Sequence, residues 1–159
     1  MLEMMCLIIR DVRQGNWMTD FFALQMTSNK IGEISSLGLA HMGDAVYELM
    51  VRAYLCESGK RTARHLHRET VRMVSARAQA RAAQAILGVL TKEESDVFRR
   101  GRNAKVSSIP PRVTPATYHQ ATGLEALFGW LYLNGRRERL GELFELVAAV
   151  FEDDDPEEG

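Results

Sequence analysis

Apolar residues recur at three- and four-residue steps along most of this chain, and no stretch convincingly alternates apolar with polar residues. The first long stretch places one such stripe on a single helical face, made of Leu39, Met42, Val46, Leu49, Met50 and Ala53. A serine at position 35 or 36 suits the N-cap of this helix, and Gly59 suits its end near Cys56. The pattern predicts an all-α fold of about six or seven helices joined by short connections.

Local signals mark the ends of further helices. Thr91 followed by Glu94 predicts a capping box at the start of a short helix. Thr114-Pro115 predicts an N-cap with proline at the first helical position, after a loop that begins at residue 106. This helix is expected to stop at Asn134-Gly135, and a last helix is expected over residues 136–151.

The chain of 159 residues has the size of one domain. We expect a helical domain over residues 31–151, an N-terminal extension over 1–30 without assigned function, and an acidic disordered tail over 152–159. The apolar run near the start is too short to span a bilayer, and no signal peptide is expected. Cys6 and Cys56 show neither metal-ligand spacing nor a disulfide framework, so we expect a reducing, cytoplasmic location.

Charge along the chain is uneven. The formal net charge is −1, but residues 152–158 hold six of the 21 acids, so residues 1–151 carry 20 basic and 15 acidic side chains. Residues 60–81 contain seven basic side chains and a single acid, Glu69. Part of this run is predicted to be helical, with one face that carries Val71, Val74, Ala78, Ile86 and Leu87. Such a run is either a solvated helix face or a phosphate-binding surface.

A second basic segment follows the helix that begins after Thr91. Residues 99–105 hold four basic side chains around Gly101. Arg102, Asn103 and Lys105 can donate hydrogen bonds to phosphate oxygens, and a glycine lets the backbone approach closely. Basic residues also suit the C-terminal end of a helix dipole, so the residues alone leave both interpretations open.

Two carboxylates stand beside glycines on two predicted helices. Asp44 follows Gly43 and lies nearly opposite the apolar stripe of the first helix. Glu125 lies at the margin of an apolar face, one turn before Gly129. If the two helices approach each other closely, both carboxylates could converge on a divalent cation. Spacing alone favours the ordinary alternatives, a solvated Asp and a boundary Glu that extends to water.

Three ordered motifs resemble those of ribonuclease III catalytic domains. The sequence GDAV at residues 43–46 resembles the end of the signature E-R-L-E-F-L-G-D, and LEALFG at residues 124–129 resembles the second motif, D-T-V-E-A-L-I-G-A. Their separation, and GRNAK at residues 101–105 between them, is closer to the Mini-ribonuclease III branch of the family. The resemblance covers roughly residues 33–150, most of the chain.

The resemblance implies a function and a site. It implies the ribonuclease III helical fold, normally a homodimer, that cleaves double-stranded RNA with Mg²⁺, for which Mn²⁺ can substitute. Asp44 and Glu125 occupy the positions of catalytic and metal-binding carboxylates. The residues assigned to RNA binding are Arg77, Arg100, Arg102, Asn103 and Lys105. The expected substrate is the precursor of large-subunit (23S) ribosomal RNA, bound without a separate double-stranded-RNA-binding domain.

The sequence also departs from the common ribonuclease III pattern. Leu37, Ala40 and Thr122 occupy positions that are usually acidic, so the number of bound metals stays open. One alternative function is therefore a non-catalytic duplex-RNA-binding or ribosome-associated helical dimer. Another is a helical dimerisation domain whose charges are only a solvated surface.

Overall fold

The computed structural model of the chain describes residues 20–59 and 62–152. The helices in these residues are α1 Ser28–Gly32, α2 Ser36–Glu57, α3 Ala63–Val74, α4 Ala76–Ile86, α5 Lys92–Arg102, α6 Pro115–Leu133 and α7 Arg137–Glu152, with a 3₁₀ turn at Leu87–Val89. This part of the chain contains no strand, so the predicted all-α fold is confirmed. The helices described here are all too short or too polar to cross a lipid bilayer. The predicted acidic tail lies outside the described residues from position 153 onward.

The predicted helix caps are formed. The Ser35 side chain accepts a hydrogen bond from the Gly38 amide and caps α2. Thr91 and Glu94 form the reciprocal capping box of α5, and Thr114 caps α6 with Pro115 in its first turn. Glycines with positive φ follow two helices, Gly59 at 86° and Gly135 at 70°, in the left-handed conformation that glycine adopts without strain.

The basic run forms two helices instead of one continuous helical face. Ser75 ends α3 and caps α4, because its side chain accepts from the Ala78 amide at 3.3 Å. The single face predicted through this run is therefore wrong, and Val71 is 51% exposed. Glu69 is buried on α3 and pairs with Arg72, whose Nε lies 2.8 Å from its carboxylate.

Helix α6 is the centre of the core. It packs against α2, α4 and α5. From residue 121 to residue 131 every position is buried except Glu125, which is half-buried. Tyr47 of α2 packs edge-on against Phe128 of α6, with ring centroids 5.5 Å apart, and its hydroxyl donates to the Met73 carbonyl at 3.2 Å. Glu125 is therefore the single ionisable side chain in the buried stretch 121–131 of the central helix.

The apolar stripe predicted on α2 is partly wrong. Leu39 and Val46 are buried, but Leu49 is 53% exposed and Ala53 is also exposed. The buried face contains Leu39, Ala40, Gly43, Val46, Tyr47, Val51 and Leu55. The helix is rotated in this way because its backbone meets α6 directly at Gly43, and Tyr47, one turn later, then also faces α6.

The end of the predicted N-terminal extension contacts the helical domain. The Met26 amide donates to the Leu133 carbonyl at 2.8 Å, and Leu24 and Met26 pack against the core. The chain from about residue 24 onward is thus held against the end of α6.

Candidate active site

Helices α2 and α6 cross with their backbones in contact. A Cβ atom at Gly43 would overlap the carbonyl oxygen of Glu125, and a Cβ atom at Gly129 would overlap the carbonyl oxygen of Leu39. Only glycine fits at both positions without moving one backbone against the other. Because Asp44 follows Gly43 and Glu125 lies one turn before Gly129, the crossing brings the two carboxylates to one place.

The two carboxylates share a cleft of about 400 Å³. The residues that line it are Leu37, Ala40, His41, Asp44, Val106, Ser107, Ser108, Tyr118, Thr122 and Glu125. None of these lining residues is Lys or Arg. The cleft thus combines two acidic groups with hydroxyl groups, and its wall carries no permanent positive charge.

The electrostatics of Glu125 are unusual for a glutamate. Burial and the negative charge of Asp44 raise the pKa of Glu125 to about 7, against a smaller opposing effect of the Gln79 amide. Glu48, one turn after Asp44 on α2, is different because it pairs with Arg52. Perturbed carboxyl groups in a cleft are typical of functional sites.

A divalent cation fits the chemistry of this cleft. Asp44 and Glu125 supply two hard oxygen ligands, and the charge that raises the pKa of Glu125 is one that a cation would neutralise. Mg²⁺ retains several waters and needs only one or two protein carboxylates. In the part of the chain that the structure describes, no cluster of three or more His, Cys, Asp or Glu side chains is present. Leu37, Ala40 and Thr122, which occupy the positions expected from the family resemblance to be acidic, line the same cleft and supply no carboxylate to it.

The predicted RNA-binding residues occupy three different places. Arg102, Asn103 and Lys105 directly precede the segment Val106–Ser108 that lines the cleft, and Arg102 Nε donates to Asn103 Oδ1 at 3.3 Å. Helix α5, which ends at Arg102, is anchored at Gly101, where a Cβ atom would overlap the Ala126 Cβ and lie 3.0 Å from the Thr122 carbonyl oxygen of α6.

Arg77 and Arg100 lie apart from the cleft. Arg77 lines a groove between α4 and the start of α6, beside Thr117 and Gln120. Arg100 lines a separate cavity with Glu93 and Trp130. Of the five, only Arg102, Asn103 and Lys105 directly precede a segment that lines the cleft, and all five RNA-binding assignments stay predictions.

Sequence reasoning missed one buried side chain beside the carboxylates. Gln79 of α4 is 2% exposed, and its amide acts on the Glu125 carboxylate. The signal was available in the periodicity, because Gln79 is the polar member of a buried face otherwise made of Ala78, Ala82, Ala83 and Ile86. An amide on an alanine-rich buried face needs a polar partner, which the sequence alone did not identify.

Comparison with known proteins agrees with this geometry. The model of the Ribonuclease III domain family matches residues 37–136. A Mini-ribonuclease 3 from Thermoanaerobacter sp. (strain X514) is 42% identical over 128 residues, 80% of this chain and 90% of the relative. A Mini-ribonuclease 3 from Symbiobacterium thermophilum is 47% identical over 116 residues, 73% of this chain and 89% of the relative.

A solved structure shows the same fold. The crystal structure of a protein from Fusobacterium nucleatum aligns with a TM-score of 0.69 and 30% identity, covering 76% of this chain and 98% of that one. The family match begins at Leu37 in the cleft and includes both Asp44 and Glu125. The chain therefore belongs to the ribonuclease III family, in which its relatives include proteins named Mini-ribonuclease 3.

Proposed function

We propose that this protein is a metal-dependent endoribonuclease that cleaves double-stranded RNA. Membership of the ribonuclease III family supports an endoribonuclease. The observation that carries the proposal is the pair Asp44 and Glu125, which two crossing helices bring into one cleft without a lysine or arginine in its wall. Such a pair is electrostatically unfavourable by itself and suits a divalent cation.

Asp44 and Glu125 would hold the metal. The chemistry that bound Mg²⁺ supplies is neutralisation of charge on the scissile phosphodiester and activation of water. Asp44 is exposed and lines the cleft, whereas Glu125 is half-buried on the central helix and would supply the less mobile of the two ligands. Because the pKa of Glu125 is raised to about 7, its carboxyl must lose a proton when it binds a cation, so metal binding should weaken as the pH falls.

Duplex RNA is the proposed substrate. An A-form duplex is recognised by its shape, its phosphates and its 2′-hydroxyls, which exposed basic and polar side chains can contact. Lys105 and Asn103 are exposed beside the cleft, and Arg102 is half-buried there. We propose that these three residues contact the strand that enters the cleft, and that Arg77 and Arg100 contact more distant phosphates. Binding should then weaken with rising salt.

We further propose that the protein acts as a homodimer. Helix α2 exposes Leu49, a large apolar side chain that would be expected in an apolar contact. A second copy placed against the Leu49 face of this helix would cover that side chain and would leave the cleft, which Leu37 lines, open to the duplex. Leu49→Lys is expected to shift the mass in sedimentation equilibrium from dimer to monomer, whereas a monomeric wild type would overturn the homodimer.

The proposed biological substrate rests on the family resemblance. We propose the precursor of large-subunit (23S) ribosomal RNA, processed in the cytoplasm, because the chain resembles the Mini-ribonuclease III branch. Purified precursor from ribosomal particles should be cleaved at discrete positions, whereas an unrelated duplex of equal length should be cleaved more slowly at equal concentration. Equal rates on both would contradict the ribosomal assignment.

Cleavage of a long RNA duplex tests the proposed reaction. We expect Mg²⁺-dependent cleavage by the wild type and a loss of at least about a thousandfold in Asp44→Asn and in Glu125→Gln, since the charge that holds the cation is removed. Glu48→Gln is the matched control on α2, because Glu48 pairs with Arg52. A wild type that binds the duplex but does not cleave it in Mg²⁺ or Mn²⁺ would favour the non-catalytic RNA-binding alternative.

A further inference from the structure

Gln79 is a buried amide at the edge of the candidate active site. It lies on α4, in a face that packs towards the core, and only 2% of it is exposed. Its Nε2 is shielded from solvent and completes no hydrogen bond with the residues that the structure describes. A buried donor without an acceptor is unfavourable, so this amide has a strong tendency to bond to a nearby acceptor.

The acceptor beside this amide is the Glu125 carboxylate. Helix α4 packs against α6, and the Gln79 side chain lies within interaction range of the carboxylate of Glu125. The Gln79 amide acts on the Glu125 carboxylate as an N–H donor on an ionised acceptor. The two groups do not meet the geometric criteria of a hydrogen bond. Hydrogen bonds that orient catalytic groups are often long before ligands bind and shorten in the complex.

We propose that Gln79 is a positioning residue, whose amide donates to the Glu125 carboxylate and holds it towards Asp44 so that both ligate one divalent cation. This inference rests on the proposed function, because it gives Glu125 a metal to bind. Gln79 itself does not contact the metal or the RNA. It acts through Glu125, as partners of metal ligands commonly do.

A neutral amide suits this task better than a basic side chain would. An arginine beside Glu125 would orient the carboxylate but would also neutralise the charge that attracts the cation. An amide orients the carboxylate and leaves its full negative charge available. The need for orientation is greater here because Leu37, Ala40 and Thr122 supply no further carboxylates to the cleft.

A purely structural role for Gln79 makes different predictions. If the amide only fills space in the core, an apolar side chain of similar shape should leave the metal site unchanged. Gln79→Met keeps the length of the side chain and removes the donor. Gln84→Met is the matched control, because Gln84 lies on the same helix but is exposed.

Metal affinity of the RNA-free protein separates the two roles. The test is to measure Mn²⁺ binding by calorimetry in wild type and both variants. The kcat and KM for duplex cleavage are measured on the same three proteins. Gln79→Met is expected to bind Mn²⁺ about tenfold more weakly and to lose kcat by a similar factor, with KM for RNA unchanged. Gln84→Met is expected to bind Mn²⁺ within about twofold of wild type. Mn²⁺ affinity of Gln79→Met within the same twofold range would overturn the positioning role.

A measurement on the wild type removes the dependence on how well Gln79→Met folds. The side-chain amide resonances of Gln79 are followed by NMR in ¹⁵N-glutamine-labelled protein during titration with Mg²⁺. We expect these resonances to shift with Mg²⁺ in wild type and to stay fixed in Glu125→Gln. Unchanged Gln79 resonances in a wild type that binds Mn²⁺ and cleaves RNA would overturn the inference alone. Absence of both Mn²⁺ binding and cleavage in wild type would overturn the proposed function itself.

Discussion

Glu94 and Glu125 lie on neighbouring helices and are both withdrawn from solvent, but their surroundings are opposite. Glu94 is 1% exposed and receives hydrogen bonds from Arg139 Nε at 2.9 Å and from the Thr91 amide at 2.8 Å. Burial alone would raise the pKa of Glu94, yet Arg139 and the cap of α5 hold it below its ordinary value. Glu125 instead faces Asp44, and its pKa is raised to about 7.

The difference shows how the partner decides the role of a buried carboxylate. Glu94 has its charge compensated and joins α5 to α7, so it stabilises the fold and offers no ligand. Glu69 is of the same kind, since Arg68 and Arg72 both donate to it. Glu125 keeps an uncompensated charge beside a cleft, which is unfavourable for the metal-free protein and useful for binding a cation.

The largest expected effect comes from forcing α2 and α6 apart, because this separates Asp44 from Glu125 and leaves the Glu94 pair intact. Gly43→Ala is expected to lower the free energy of unfolding by at least about 3 kcal/mol, because the new Cβ would overlap the Glu125 backbone. Cleavage per folded molecule should fall at least about a hundredfold, since the two carboxylates no longer meet. Urea denaturation and initial cleavage rates measure the two effects.

Gly141→Ala is the control for this substitution. Gly141 lies in the interior of α7, and a Cβ atom there would have nothing within 4 Å. The variant should be unchanged or up to about 1 kcal/mol more stable, because alanine favours a helix. A Gly43→Ala protein with wild-type stability and activity would show that the close crossing is not required.

Removing the charge of Glu94 should give the opposite pattern to removing that of Glu125. Glu94→Gln is expected to lower the free energy of unfolding by about 2–4 kcal/mol, because Arg139 loses its buried partner. Cleavage per folded molecule should stay within about threefold of wild type, since Glu94 lies outside the cleft. Glu142→Gln, which removes an exposed partner of the same arginine, should change stability by less than about 0.5 kcal/mol. Loss of cleavage in a stable Glu94→Gln protein would assign Glu94 to the active site.

Glu94 and Glu125 should also make the free energy of unfolding depend on pH in opposite directions. The pKa of Glu125 is higher in the folded protein than in the unfolded chain, so metal-free protein holds this proton from about pH 4.5 to 7 while the unfolded chain has lost it. Glu125 therefore lowers stability as the pH rises through that window. In EDTA at pH 8, Glu125→Gln should be about 1–3 kcal/mol more stable than wild type, with no difference near pH 4.

Urea denaturation at pH 4, 6 and 8 measures this effect. Glu145→Gln, an exposed substitution on α7, should follow the wild-type curve at all three values. The pKa of Glu94 is lowered, so its contribution is present above its unfolded pKa and is lost as the pH falls through its folded pKa. Equal stability of Glu125→Gln and wild type at pH 8 would mean that the carboxylate of Glu125 is not destabilised by its surroundings.

The sequence predicted those parts of the fold that depend on neighbours within four residues. The capping box at Thr91 and Glu94, a serine N-cap at position 35 or 36 and the turn at Gly135 are local, so residue types suffice to predict them. The glycine beside each carboxylate also indicated a close helix crossing. The prediction that Asp44 and Glu125 form one site needed the family resemblance, because spacing alone favoured two solvated side chains.

The remaining features depend on contacts distant in sequence. The rotation of α2 that exposes Leu49 follows from the contact between Gly43 and α6, and hydrophobic periodicity ranks side chains by size and polarity, not by how closely backbones approach. Arg139 and Glu94 are 45 residues apart, so the sequence indicated Glu94 only as a capping residue. Gln79 lacked an identified partner for the same reason.

The smallest expected effect concerns two basic side chains, Arg139 and Lys105, which differ in the same way as Glu94 and Glu125. Arg139 is occupied by Glu94, whereas Lys105 is exposed directly before the residues that line the cleft. If Lys105 contacts a phosphate, Lys105→Gln should raise KM for duplex RNA about three- to fivefold at low salt, with kcat unchanged. The slope of log affinity against log salt concentration should fall by about 1, because one fewer counterion is released.

Lys92→Gln tests whether this effect is local. Lys92 is exposed at the first residue of α5, whereas Lys105 follows the end of that helix, so Lys92→Gln changes the net charge by the same amount away from the residues that line the cleft. Filter binding at several salt concentrations should show a wild-type slope for Lys92→Gln and a reduced slope for Lys105→Gln. Equal reductions in both variants would mean that RNA responds to the overall charge of the protein. A reduction confined to Lys105→Gln would place a phosphate beside the cleft, where the strand must lie if Asp44 and Glu125 are to act on it.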